Sequence, residues 1–157
     1  MNTSGNGNLA VRRADSGDAH AVARLLYDFN REFDQPTPVA SVLAKRVRRL
    51  IEAGDTTVLL VGSGPDGLVM LRYRPAIWTE ALECWLAELY VIPPRRRRGL
   101  GRALMEAAIA DARQRGADRM ELATSDDDAA ARALYEKFGF TNEADGSVNY
   151  FYERELP

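Results

Sequence analysis

The stretch PRRRRGLGRALM, from Pro94 to Met105, sets four consecutive arginines before two glycines at the head of an apolar helical pattern. Guanidinium groups present forks of N–H donors and a charge fixed at any ordinary pH, so the chemistry of such a run is anion recognition. Three readings stand on residue type and spacing alone. The run could hold a nucleic-acid backbone, it could cradle the phosphates of a small cofactor at a helix start, or it could be a hydrated charged face with no ligand.

The other residue types that usually carry chemistry are scarce. A single cysteine, Cys84, excludes an internal disulfide framework and any multi-cysteine zinc site, and inside ALECWLAELYV it reads as strand packing. His20 is the only histidine, so histidine triads and histidine metal clusters are hard to build and no metal is implied. The 21 basic and 23 acidic residues give a net charge of −2, which is not the basic body of a general nucleic-acid binder, and no aromatics interleave the arginines. The opening MNTSGNGN has no apolar core of a signal peptide, and no apolar run approaches the roughly 18 residues of a membrane span. The expectation is a cytoplasmic protein without membrane contact.

At 157 residues and 46% hydrophobic content the chain is expected to form one globular domain, residues 9–157, behind a flexible tail over residues 1–8. LAVRRA alternates as a first strand. SGDAHAVARLLYDFNREF carries a Ser/Asp cap signal and apolar Val22, Leu25, Leu26 and Phe29 at helical spacing. VASVLAKRVRRLIEAG repeats that pattern and stops at Gly54, a C-terminal glycine signal. TTVLLVG and LVMLRYRP flank the turn SGPDG as a hairpin, and LECWLAELYVI is a further strand closed by Pro93 and Pro94. A helix over GLGRALMEAAIADARQRGA, a strand at DRMELAT, a short helix at DAAARALYEKFGF and a final alternating strand at VNYFYERE complete the order. The fold class is α/β, a mixed and mostly antiparallel sheet with about four helices in the order β-α-α-β-β-β-α-β-α-β-β.

The glycines do not complete a GxGxxG dinucleotide fingerprint, and no GK[ST] follows them for a P-loop. Arg96-x-x-Gly99-x-Gly101, preceded by ELYVIPP and followed some thirty residues later by ARALYEKFGF, resembles the GNAT superfamily of acetyl-CoA-dependent N-acetyltransferases. The element order is similar to theirs over nearly the whole chain after the tail.

What the resemblance implies agrees with the physics of the turn. A helix N-terminus leaves backbone N–H groups unpaired at the positive end of the macrodipole, and glycine lets a phosphate approach the backbone. The anion implied is coenzyme A, with Arg96, Arg97, Arg98, Gly99, Leu100, Gly101 and Arg102 at its pyrophosphate and 3′-phosphate. Backbone at Leu89, Tyr90 and Val91 is expected to meet the pantetheine and the acyl group. Glu88 is the expected base for an amine that arrives as ammonium, with Glu83 the runner-up. Tyr135 matches the family's tyrosine that protonates the departing thiolate. Asp128 stands where the family often has asparagine; an ionised carboxylate accepts but cannot donate like an amide, so it serves either as a cofactor contact or as a helix N-cap.

The acceptor side is expected from YDFNREFDQ, IWTEALE and VNYFYERE, where Asp34, Trp78, Glu83 and Tyr150 are candidate substrate contacts. Acidic and aromatic residues suit a cationic amine, so the expected substrate is a primary amine of a small molecule or a peptide. The expected activity is acetyl transfer by direct attack in a ternary complex. The alternative is a non-catalytic acyl-CoA-binding regulatory module, and the edge of the last strand offers a homodimer contact.

Overall fold

The computed structural model describes residues 9–157, so the tail expected over residues 1–8 lies outside the described residues. The chain forms two compact units, one ending at Glu121 and one covering Leu122–Pro157.

The first unit is built on a five-stranded sheet in the order β1-β2-β3-β4-β5. The strands are β1 (Val11–Arg13), β2 (Thr56–Val61), β3 (Gly67–Pro75), β4 (Leu82–Val91) and β5 (Ala117–Glu121). The first four pair antiparallel and β4 pairs β5 in parallel. Helix α1 (Ala19–Glu32) and helix α2 (Ala40–Ala53) follow β1, and helix α3 (Leu100–Gln114) joins β4 to β5. A parallel pair needs such a crossover, because two parallel strands cannot be joined by a tight turn.

Every residue of β2 is buried, as a strand covered on both faces must be. On one face Val58, Leu60, Leu68, Met70 and Tyr90 form a single cluster with Val22 and Leu25 of α1 and Val47 of α2. Alternation sends Leu59, Val61, Val69 and Leu71 to the other face, where α3 packs with Leu100, Leu104, Met105 and Ala108 buried. That helix also buries the polar Asp111, which takes a 2.7 Å hydrogen bond from the Tyr73 hydroxyl and pairs with Arg13 of β1. The apolar stripe expected on this helix, Leu100, Leu104, Ala108 and Ile109, did not include Met105, Asp111 and Ala112, which are also buried.

Helix ends follow their local chemistry. Asp15 caps a short 3-10 turn over Ser16–Asp18, and Asp18 accepts a bond from the Asp15 N–H, so the expected cap signal belongs to this turn and α1 begins after it. Helix α2 ends at Gly54 with φ of 84°, the left-handed conformation that glycine adopts without a Cβ penalty.

The second unit holds helix α4 (Ala129–Lys137) and a two-stranded ribbon of β6 (Glu143–Ala144) and β7 (Ser147–Val148). The final strand expected over VNYFYERE is not formed: β7 stops at Val148 and residues 149–157 carry no regular structure. An extended segment becomes a strand only when a ladder satisfies its backbone, and alternation alone does not supply one. The strand edge proposed for a homodimer contact is therefore two residues long.

Candidate active site

Strand β4 carries the central irregularity. Leu71 pairs with Leu86 and Met70 with Glu88, so Ala87 is an extra residue in the ladder, a β-bulge. Directly paired residues share a face. Met70 belongs to the cluster under α1 and α2, so Glu88 opposite it points to that face, as Tyr90 does two residues on. Trp85 pairs with Arg72 and Glu83 with Arg74, which places them on the same face. Glu88 lies five positions after Glu83, an odd spacing that puts them on opposite faces of a regular strand; the bulge brings both to one.

The other edge of β4 changes character at the same place. β5 pairs only with Leu82–Trp85. Beyond Trp85 that edge has no strand partner among the described residues, so alternate backbone groups of the Leu86–Val91 segment lack a ladder partner and could receive an extended ligand, with the Val91 carbonyl already taken by Arg96. Glu88 is partly buried and makes no hydrogen bond or ion pair among the described residues, and burial pushes its carboxyl above the usual carboxylate range.

After β4 the chain turns through a 3-10 segment at Pro93–Arg95. Arg97 and Gly99 both take left-handed backbone, with φ of 60° and 84°. Gly99 is the N-cap of α3 and contributes no side-chain cap, and the first helical bond runs from the Ala103 N–H to the Gly99 carbonyl at 3.0 Å. The first-turn N–H groups of Leu100, Gly101 and Arg102 are left for an outside acceptor. The Leu100 side chain is buried, so only its backbone can serve.

The arginines divide by role. Arg96 donates from Nε to the Val91 carbonyl at 2.9 Å and from Nη2 to Glu32 at 2.6 Å, and its guanidinium lies 5.6 Å from the Tyr90 ring centre. Tyr90 stacks on Phe29 at 5.0 Å, and the hydrogen bond from Arg96 holds the Glu32 carboxyl below its ordinary pKa. Arg96 thus braces the turn against α1. Arg102 pairs with Glu106 along α3 at 2.9 Å, while Arg97 and Arg98 make no ion pair among the described residues. A phosphate-bearing group fits this turn: uncapped donors, a glycine cap and unpaired guanidinium groups share one helix start.

Next to the bulge, a cavity of about 390 Å³ is lined by Arg72, Arg74, Glu83, Trp85, Glu121 and Asp55, among others. Glu83, the runner-up base, is held by Arg74 at 2.6 Å. Cys84 is 1% exposed and its thiol is pushed up to about 11 by burial, so it is an inert packing group. Asp34 lies just past α1 with φ of 52°, and Trp78, 91% exposed, stands on the loop between β3 and β4; neither lines the cavity. Arg72 and Trp85 were not foreseen as site residues. Their signal was an arginine inside the apolar run LVMLRYR.

In the second unit, Asp128 is the N-cap of α4, accepting the Ala131 N–H at 3.0 Å. Tyr135 is 9% exposed and meets Phe140 edge-on at 6.0 Å between ring centres. Tyr150 is exposed beside Tyr152 at 6.3 Å.

The profile of the Acetyltransferase (GNAT) family matches residues 20–140. A crystal structure from Arthrobacter sp. FB24, provisionally described as an acetyltransferase, superposes with a TM-score of 0.87 at 43% identity, covering 94% of this chain and 96% of that one. An uncharacterized N-acetyltransferase of Bacillus subtilis is 28% identical over 144 residues, covering 90% of this chain and 95% of its own. The mycothiol acetyltransferase of Beutenbergia cavernae is 40% identical over 85 residues, and the match spans 52% of this chain but only 27% of that protein.

Proposed function

The chain belongs to the GNAT acetyltransferase family, and from that premise we propose that it moves the acetyl group of acetyl-CoA to a primary amine of a small molecule or peptide by direct attack within a ternary complex. The observation that carries this reading is the coincidence, on β4, of an open backbone edge with the desolvated Glu88 one residue past a bulge.

In this reading Gly99, Gly101 and the α3 first-turn N–H groups receive the pyrophosphate, with Arg97, Arg98 and Arg102 adding charge around it. Leu89–Val91 backbone pairs with the pantetheine arm, and an N–H of that edge stabilises negative charge as it develops on the carbonyl oxygen. When bound, acetyl-CoA supplies the activated thioester. Glu88 takes the proton of the incoming ammonium, directly or through water. Its raised pKa makes it a better proton acceptor than an exposed carboxylate, and it still ionises far below the roughly 10.4 of an alkylamine. Tyr135 is retained as the acid for the departing thiolate on the family resemblance, because a phenol near 10 holds its proton at neutral pH.

The test is release of free CoA thiol from acetyl-CoA across a panel of amines, run beside calorimetric titration with CoA. Amine-dependent thiol release is the expected result. CoA binding without release for any amine would select the non-catalytic acyl-CoA-binding module, and absence of both would remove the cofactor assignment.

A further inference from the structure

The cavity beside the bulge holds a cation with no counter-ion. Arg72 lines it, its Nε is buried and donates to nothing, and among the described residues its guanidinium makes no hydrogen bond or ion pair. Among the neighbouring carboxylates, Glu83 is held by Arg74 at 2.6 Å and Asp55 accepts the Thr56 hydroxyl at 3.2 Å, and none of Glu83, Asp55 and Glu121 makes an ion pair with Arg72. A partly buried guanidinium left unpaired costs free energy that an incoming anion recovers.

Position gives that anion a role. Arg72 lies two residues along β3 from Met70, on the same face, and Met70 is directly opposite Glu88. Two residues of strand span about 7 Å, so an anion on Arg72 sits within one small molecule's length of the carboxylate proposed to deprotonate the amine. Trp85, opposite Arg72 across the ladder, gives the cavity a flat apolar wall. The volume of about 390 Å³ is near the lower end of small-molecule sites, roughly 300 to 1,000 Å³.

We infer that the acceptor is a small zwitterion, an amine carrying a carboxylate a few ångströms away, with the carboxylate received by the Arg72 fork and the amine turned toward Glu88. Arginine matches carboxylate geometry with two parallel N–H donors, which fixes orientation as well as charge. The acidic rim of Glu83, Glu121 and Asp55 suits the ammonium end and repels dianionic ligands. The inference rests on the proposed acetyl transfer to an amine and narrows its substrate class.

The test compares L-methionine and L-alanine with their amides, which keep the amine and side chain but lose the negative charge. Trp85 emission is titrated in a Trp78→Phe background, where it is the remaining indole, and acetyl transfer is measured for the same compounds. The free amino acids are expected to bind and to react with kcat/KM about ten- to a hundredfold above their amides. Arg72→Met, which keeps the apolar stem, is expected to bring that ratio near one, chiefly through KM, and Arg72→Lys to keep part of it. Equal kcat/KM for acid and amide in the wild type, or a loss in Arg72→Met spread equally over both, overturns the carboxylate assignment and leaves amine acetylation standing. Transfer to no amine at all overturns the enzymatic reading instead. The Trp85 titration then decides the anion site by itself: tighter binding of acid than amide that depends on Arg72 supports it, and no such difference overturns it.

Discussion

Arg96 stands with Nη2 2.6 Å from Oε2 of Glu32, tying the turn after β4 to the last residue of α1. The first arginine of the Arg-x-x-Gly-x-Gly pattern is therefore engaged within the protein, where it holds the turn in place. Arg96→Ala removes this pair, the bond to the Val91 carbonyl and the contact with Tyr90, for a loss of about 1–2 kcal/mol given its partial exposure. It is expected to lower both the melting temperature and CoA affinity. Arg98→Ala is expected to weaken CoA binding with the melting temperature unchanged. Thermal denaturation and calorimetry on the two variants separate bracing from direct contact; identical behaviour would contradict the division.

Gly99 needs its left-handed backbone more than it needs space, since a Cβ there would meet only Leu9 Cδ1 at 3.9 Å. Gly99→Ala is expected to cost roughly 1–2 kcal/mol from backbone strain alone. Gly101→Glu is expected to leave a folded protein that no longer binds CoA, because a carboxylate would occupy the phosphate position. Circular dichroism with CoA titration checks both, and normal binding by Gly101→Glu would move the cradle elsewhere.

Glu88 titrates above the ordinary carboxylate range because burial disfavours its charge. Wild-type kcat/KM is expected to rise as pH climbs through that raised value. Glu88→Gln should lose this limb, with the greatest deficit between that value and the amine's, near 10.4. The sign for stability is opposite. A carboxyl whose pKa is higher in the folded state binds more protons there, so its contribution to stability falls as pH rises, and the glutamine variant should be no less stable at neutral pH. A pH-independent activity loss would assign Glu88 to substrate attraction alone.

Tyr135→Phe keeps the ring that meets Phe140 edge-on. If the hydroxyl is the general acid, turnover should fall by about 10²- to 10⁴-fold with little change in acetyl-CoA affinity or melting temperature. A kcat within twofold of wild type, with chemistry rate-limiting, would withdraw that role; lost activity with a large fall in melting temperature would make the tyrosine a packing residue.

The carboxyl of Asp18 is lowered to about 2, first by its hydrogen bonds from Arg12. A depressed carboxylate contributes stability above its unfolded value near 3.9 and loses it as pH falls toward 2. Arg12 is 59% exposed, so solvent screening limits the effect to about 1 kcal/mol or less. Asp18→Asn should flatten the acid limb of a urea-denaturation profile in that window, being less stable than wild type by about 1 kcal/mol or less above pH 5 and converging on it toward pH 2.

The elements that frame the arginine–glycine turn were legible because each carries its own local signal: the prolines after β4, the glycine caps and the helical stripe of α3. The placement of Glu88 was not legible. LECWLAELYV is apolar through Cys84–Ala87, where no alternation marks the phase, and only the pairing with β3 reveals that Ala87 is extra. VNYFYERE failed in the reverse direction, having the alternation of a strand and no ladder to join. The cavity at Arg72 escaped because it depends on what faces that arginine from β4 and β5, which neighbouring residues in sequence do not encode.

The bulge at Ala87 makes β4 two half-strands in independent phase. Substitutions in the half containing Glu83 and Trp85 reshape the cavity, while the half ending at Val91 offers a ligand mainly main-chain atoms, which are the same for any side chain. Inheritance can therefore act on the two halves separately. Drift in the codons upstream of Ala87 could reshape the cavity while the edge of the Leu86–Val91 half is passed on intact. A single-codon deletion at that alanine would instead close the ladder without a bulge, leaving Glu88 opposite Met70 and Tyr90 opposite Leu68.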